Sequence, residues 1–94
     1  MAIWQAGGTS VNGLHLHHTR KGGDKPPVVL AHGFSDDGLC WTPVAEALEG
    51  DYDLIMVDAR GHGQSDGSEQ GYGPGEMAAD LAGMIDKLGL QRPA

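Results

Sequence analysis

The spacing of apolar and polar positions changes three times along the chain. From Ile3 to His18 it alternates. In LHLHH, Leu14 and Leu16 are interleaved with His15 and His17, which is the mark of a half-buried strand with one wet face. Asn12-Gly13 interrupts this stretch and is the pair favoured by a tight type I′ turn, so a β-hairpin is predicted. After the loop KGGDKPP the pattern becomes a continuous apolar run, VVLAHG (Val28 to Gly33), and such a run appears again in DLIMVD (Asp53 to Asp58). Short unbroken runs of this kind suit strands buried on both faces of a parallel sheet. Between them the period is helical. Thr42 is expected as N-cap with Pro43 at the first helical position, Val44, Ala47 and Leu48 as the apolar face, and Gly50 past the end. Strand, helix and strand together predict a right-handed βαβ unit. A second helix is predicted from Pro74 to Leu88, with Met77, Leu81, Met84, Ile85 and Leu88 on one face and Gly89 as C-cap. LQRPA follows it, where a further strand is expected but not read.

Length and charge narrow the function. A chain of 94 residues is one domain at most and buries a smaller share of its surface than a typical domain. Thirteen acidic against six basic residues give a net charge of −7. No Lys/Arg cluster is present to neutralise phosphates; only Arg20 and Lys21 adjoin, in a Gly-rich turn, so neither nucleic acid nor an anionic membrane is expected as a partner. No apolar run approaches the ~20 residues of a membrane span, and the start lacks the basic-then-apolar form of a signal peptide. One cysteine, Cys40, allows no internal disulfide and fits a reducing, cytoplasmic setting; it reads as a small apolar residue.

Gly63-Gln64-Ser65-Asp66-Gly67 satisfies the G-x-S-x-G pattern of a serine-hydrolase nucleophile. That pattern has a physical context: the serine sits on a sharp turn directly between strand and helix, so that its hydroxyl projects above the sheet. Here the preceding run ends at Asp58, five positions before the first glycine, and SEQGYGPG after the last one is loop. Ser65 is therefore read as a match without the geometry, not as a nucleophile.

The same loop carries a better signal. DARGHGQS (Asp58 to Ser65), following an apolar strand and placed after His32-Gly33-Phe34 and a helix, resembles the α/β-hydrolase superfamily, in which an N-terminal hairpin is followed by a strand ending in H-G-x, a helix, a strand ending in D-x-R-G-x-G-x-S, and another helix. The resemblance runs from Val11 to Pro93. It implies an α/β fold, the N-terminal part of an α/β-hydrolase (β-hairpin, then βαβα), with a sheet incomplete without a further chain. Residues 1–94 would then be one segment of a single hydrolase domain, ending just before the nucleophile-elbow strand. Nucleophile, acid and catalytic histidine would lie outside it, on the rest of the hydrolase as a second chain, and this chain alone would be inactive. VVLAHG would lie beside the missing strand with its edge open, an aggregation hazard unless paired.

On this resemblance the backbone N–H of Phe34 is an oxyanion-hole donor, a role in which a pre-aimed donor contributes roughly 3–4 kcal/mol to acyl transfer. Gly33, Ser35 and Asp36 would border the substrate. Asp36 and Asp37 read equally as pocket-mouth residues or as solvated turn residues at a helix N-terminus. His32 would be structural, tying loops together. Asp58, Arg60, His62 and Ser65 would stabilise the loop at the sheet's carboxyl edge, with Arg60 bonding carbonyls or pairing with Asp58, away from the cleft wall. Many epoxide hydrolases and dehalogenases have proline after H-G-x; Ser35 in that place points toward esterase-like relatives. The implied function is a serine esterase or related carboxylic-ester hydrolase acting on a small molecule. The alternatives are a non-catalytic hydrolase-like binding protein and an epoxide-hydrolase-type enzyme with an aspartate nucleophile. No cofactor is expected. His15, His17 and His18 lack the further ligands of a metal site and read as wet-face strand residues, and no phosphate-cradling glycine pattern follows either buried strand.

Overall fold

A computed structural model of the chain describes residues 4–22, 24–33, 36–68 and 71–94. The predicted hairpin is β1 (Gln5–Val11) and β2 (Leu14–Arg20), antiparallel, with Val11 opposite Leu14. Asn12 and Gly13 turn the chain with φ of 52° and 81°. Both values are positive, as a type I′ turn requires, and an asparagine followed by glycine adopts them at low cost. The two apolar runs form β3 (Pro27–Leu30) and β4 (Asp53–Val57), paired in parallel, with Val28 opposite Leu54. The hairpin joins them through β2, whose last three residues run antiparallel to Ile55–Val57, giving the strand order β1-β2-β4-β3.

All of β4 is buried, and its side chains alternate between two cores. Ile55 and Val57 pack with Val11, Leu16 and Met84; Leu54 and Met56 pack with Ala45. The first core lies under α2 (Pro74–Lys87) and the second under α1 (Thr42–Leu48), so one helix covers each face of the sheet. Helix α2 follows its predicted stripe: Met84 is buried, and Leu81 and Leu88 are half-buried against it. Gly89, at φ 69°, closes the helix, with the Leu90 N–H donating to the Ile85 carbonyl at 3.1 Å.

The first helix departs from its prediction. A 3-10 turn (Gly38–Trp41) precedes it, capped by Asp37, whose Oδ1 accepts the Leu39 N–H at 3.0 Å. Trp41 is the N-cap of α1, and the Thr42 hydroxyl donates back to the Leu39 carbonyl at 2.7 Å instead of capping. Of α1's side chains, Ala45 is buried, whereas Val44, Ala47 and Leu48 are exposed. The apolar stripe was present, but the 3-10 turn sets the rotation of a seven-residue helix and directs Ala45 at the sheet.

Arg20 also lies elsewhere than predicted. It ends β2 and forks onto the buried Asp53, with Nη2 2.6 Å from Oδ2. The β3 edge is partly occupied. Ala94 N–H donates to the Pro27 carbonyl at 3.0 Å, and the Ala94 carbonyl accepts from Val29 N–H at 2.7 Å. This is the bonding of a parallel bridge opposite Val28.

Candidate active site at the carboxyl edge of the sheet

At the carboxyl ends of β3 and β4 two loops meet, and ligands of open parallel sheets bind at such an edge. Asp58 is the hub of this region and is buried. Its Oδ1 accepts the Gly38 N–H at 2.6 Å. Its Oδ2 accepts the Gln64 N–H at 3.0 Å and His17 Nδ1 at 2.9 Å. Burial pushes the Asp58 carboxyl upward, but the Gln64 and Gly38 N–H groups and the His17 ring outweigh it, and the net shift is downward. The carboxylate therefore stays ionised and acts only as an acceptor.

Ser65, the serine of the G-x-S-x-G match, is engaged on both sides. Its hydroxyl donates to the Asp58 carbonyl at 2.6 Å and accepts from the His17 N–H at 2.8 Å. Neighbouring bonds fasten the rest of the loop to β2: Asp66 N–H donates to the His15 carbonyl, and His15 N–H to Asp66 Oδ2, both at 2.9 Å. Ser65 thus closes a loop.

His32 is half-buried at the exit of β3. Its Nε2 accepts the Ala59 N–H at 3.0 Å, which assigns the proton to Nδ1, 2.6 Å from the Gly33 carbonyl. Its ring lies 5.1 Å from that of His62, whose Nδ1 is 2.9 Å from the Arg60 carbonyl. Gly33 and Asp36 are exposed, and the Asp36 N–H donates to the Gly33 carbonyl at 3.2 Å. Phe34 and Ser35, named above as oxyanion donor and substrate contact, lie outside the described residues.

Among the described residues, Arg60 pairs with neither Asp58 nor, through its side chain, with carbonyls. It forks onto Asp80 of α2, and the pair is buried. The Arg60 hydrogen bond draws the Asp80 carboxyl below its ordinary range against the opposing effect of burial, helped by Asn12 and by the charge of Arg60. With Ala59, these residues line a cleft of about 210 Å³ between the sheet and α2, whose apolar lining includes Leu16, Val57, Leu81 and Met84. Asp58, Ala59 and Arg60 at the exit of β4 thus line this cleft beneath α2.

Two residues of this network escaped the sequence reading. Asp80 had a signal: it interrupts the apolar stripe between Met77 and Met84, and a carboxylate on a buried face needs a buried cation. His17 had none beyond its place in a histidine-rich strand. It is mostly buried, not a wet-face residue, because the loop after β4 folds over it. Cys40 is exposed; partial desolvation and then Asp36 and Asp37 push its thiol upward. Among the described residues, no three His, Cys, Asp or Glu side chains group as metal ligands, and no helix is long and apolar enough to cross a membrane.

The sequence profile of the alpha/beta hydrolase fold matches residues 26–94, and the chain belongs to that family. It is 36% identical over 92 residues to N-formylmaleamate deformylase of Pseudomonas putida, covering 96% of this chain and 34% of that protein. It is 35% identical over 85 residues to epoxide hydrolase A of Mycobacterium tuberculosis, covering 86% of this chain and 26% of that one. Among solved structures, Cfl2 of Burkholderia cenocepacia superposes with a TM-score of 0.90 at 27% identity, over 96% of this chain and 31% of that chain. The chain therefore spans about a quarter to a third of these relatives, and its sheet and helices match the N-terminal part of their fold.

Proposed function

We propose that this chain is the N-terminal segment of a serine hydrolase acting on esters or related acyl compounds. In this reading it supplies one oxyanion donor, the Phe34 N–H, with Gly33, Ser35 and Asp36 bordering the substrate. Nucleophile, acid and base come from the remaining two thirds of the hydrolase fold, and residues 1–94 by themselves are inactive. The observation that carries the reading is the fastening of the turn after β3 at both ends, at His32 to Ala59 and at Gly38 to Asp58. A donor acts on a developing oxyanion only when it is held in place before the reaction, and this is the kind of support such a donor needs. The doubly engaged Ser65 hydroxyl is consistent with a nucleophile elsewhere. Ala94 on the β3 edge supports that edge as the place where the sheet extends.

A fluorophosphonate probe on the native material, read by denaturing intact mass, tests this. The expected tag is on a serine outside residues 1–94. A tag on Ser65 would overturn the reading. The similarity to epoxide hydrolases favours a second reading, an aspartate nucleophile. An untagged protein that hydrolyses styrene oxide would establish it in place of the first.

A further inference from the structure

The two fastenings of the turn after β3 come from consecutive residues at the exit of β4: Ala59 N–H holds His32, and Asp58 Oδ1 holds Gly38 N–H. The second depends on the rotamer of Asp58, since a carboxylate on a side chain with two torsions can swing away. Its other oxygen is held by Gln64 N–H and by His17 Nδ1. Because Asp58 only accepts, His17 Nδ1 carries the proton. The His17 main chain is fixed on both sides, its N–H to Ser65 Oγ at 2.8 Å and its carbonyl to Asp58 N–H at 2.9 Å. The ring therefore stands on a fixed strand and not on a loop.

His17 also bears a cost: its Nε2 is buried without a hydrogen-bond partner among the described residues. Phenylalanine or leucine would fill the same space without that cost, so an imidazole here is accounted for by the one bond that only its Nδ1–H makes. We propose that His17 is a positioning residue: by holding Asp58 Oδ2 it aims Asp58 Oδ1 at Gly38 and so sets the trailing end of the turn that follows β3. Its effect on turnover rests on the acyl-hydrolase reading; its effect on Gly38 does not.

The test compares native protein with His17→Leu and with His17→Asn, whose amide offers an N–H near the place of Nδ1. Two readouts are taken: the Gly38 amide proton by 15N NMR with its exchange rate, and kcat and KM for p-nitrophenyl butyrate. In His17→Leu the Gly38 resonance should move upfield and its exchange should quicken by roughly tenfold or more. The kcat should fall by roughly ten- to a hundredfold at little-changed KM, because displacement of a positioned group acts on the transition state. His17→Asn should restore most of both. An unmoved Gly38 amide in His17→Leu, or an Asn variant as impaired as the Leu variant, overturns the proposal. A shifted Gly38 with unchanged kcat overturns its catalytic part. Should the Leu variant not fold, the native ring decides: a His17 Nδ1 without a proton overturns the proposal, and a protonated one supports it. Native protein that leaves the ester intact overturns the acyl-hydrolase reading, and Gly38 and Nδ1 then decide the clamp alone.

Discussion

Arg60 and Asp80 meet as a two-point ion pair, Nε to Oδ2 at 2.5 Å and Nη2 to Oδ1 at 2.7 Å, joining the loop after β4 to the middle of α2. Asn12 adds a third bond from the hairpin turn, its Nδ2 3.0 Å from Asp80 Oδ1. Removing one member of a buried pair strands the other charge, whereas replacing both with apolar groups does not. Asp80→Leu should lower the melting temperature sharply, and the Arg60→Met/Asp80→Leu double variant should recover most of the loss. A thermal-denaturation cycle checks this; additive losses would mean that the two side chains act independently.

Acid should weaken the fold in two stages. Burial first, then the charges of His17 and Arg20, hold His18 below the ordinary histidine value. A group depressed in the folded state contributes stability that is full above its unfolded value, about 6.5, and is lost as pH falls from there through the folded value. Asp80 and Asp58 are depressed likewise, so their contribution is full above about pH 4 and is lost below it. Denaturant midpoints measured from pH 8 to pH 3 should fall first near the histidine range and again near the carboxylate range. His18→Phe should remove the upper stage alone.

Gly38 has no room for a side chain. A Cβ there would lie 2.8 Å from the Val57 carbonyl oxygen and 3.0 Å from Asp58 Oδ1, and the first of these is backbone that cannot step aside. Gly38→Ala should cost about 1–3 kcal/mol, as overpacking does, and should loosen the Gly38–Asp58 bond. Urea melts give the first quantity and amide exchange the second.

Ser65→Ala removes a hydroxyl that both donates and accepts. A loss of about 1–2 kcal/mol in stability is expected, with fluorophosphonate labelling of the native material unchanged. Loss of labelling would instead identify Ser65 as the nucleophile.

The elements of the fold were legible where one period ran long enough. The hairpin turn, the buried strand β4 and the stripe of α2 are local patterns, and each lies where the sequence placed it, whereas β3 stops at Leu30, short of the predicted Gly33, and is only half-buried because it lies at the sheet edge. The rotation of α1 was not legible, because Val44 and Leu48 show that an apolar face exists without showing which element meets it. The partners in the site were hidden for another reason. Arg60 and Asp80 are twenty positions apart and His17 and Asp58 forty-one, so their pairing follows from how the loop after β4 folds back, which no periodicity encodes.

The bridge between Ala94 and Val28 fixes a phase. Parallel partners place their side chains on the same side of a sheet, so Ala94 shares the α1 side with Val28. Any strand continuing along β3 from this point arrives with its inward and outward positions already assigned, alternating first toward α2 and then toward α1. A shift of one residue would turn every following side chain to the wrong layer. A single pair of backbone bonds thus acts as the first tooth of a zip, setting the alignment of any strand that runs on from Ala94 along β3.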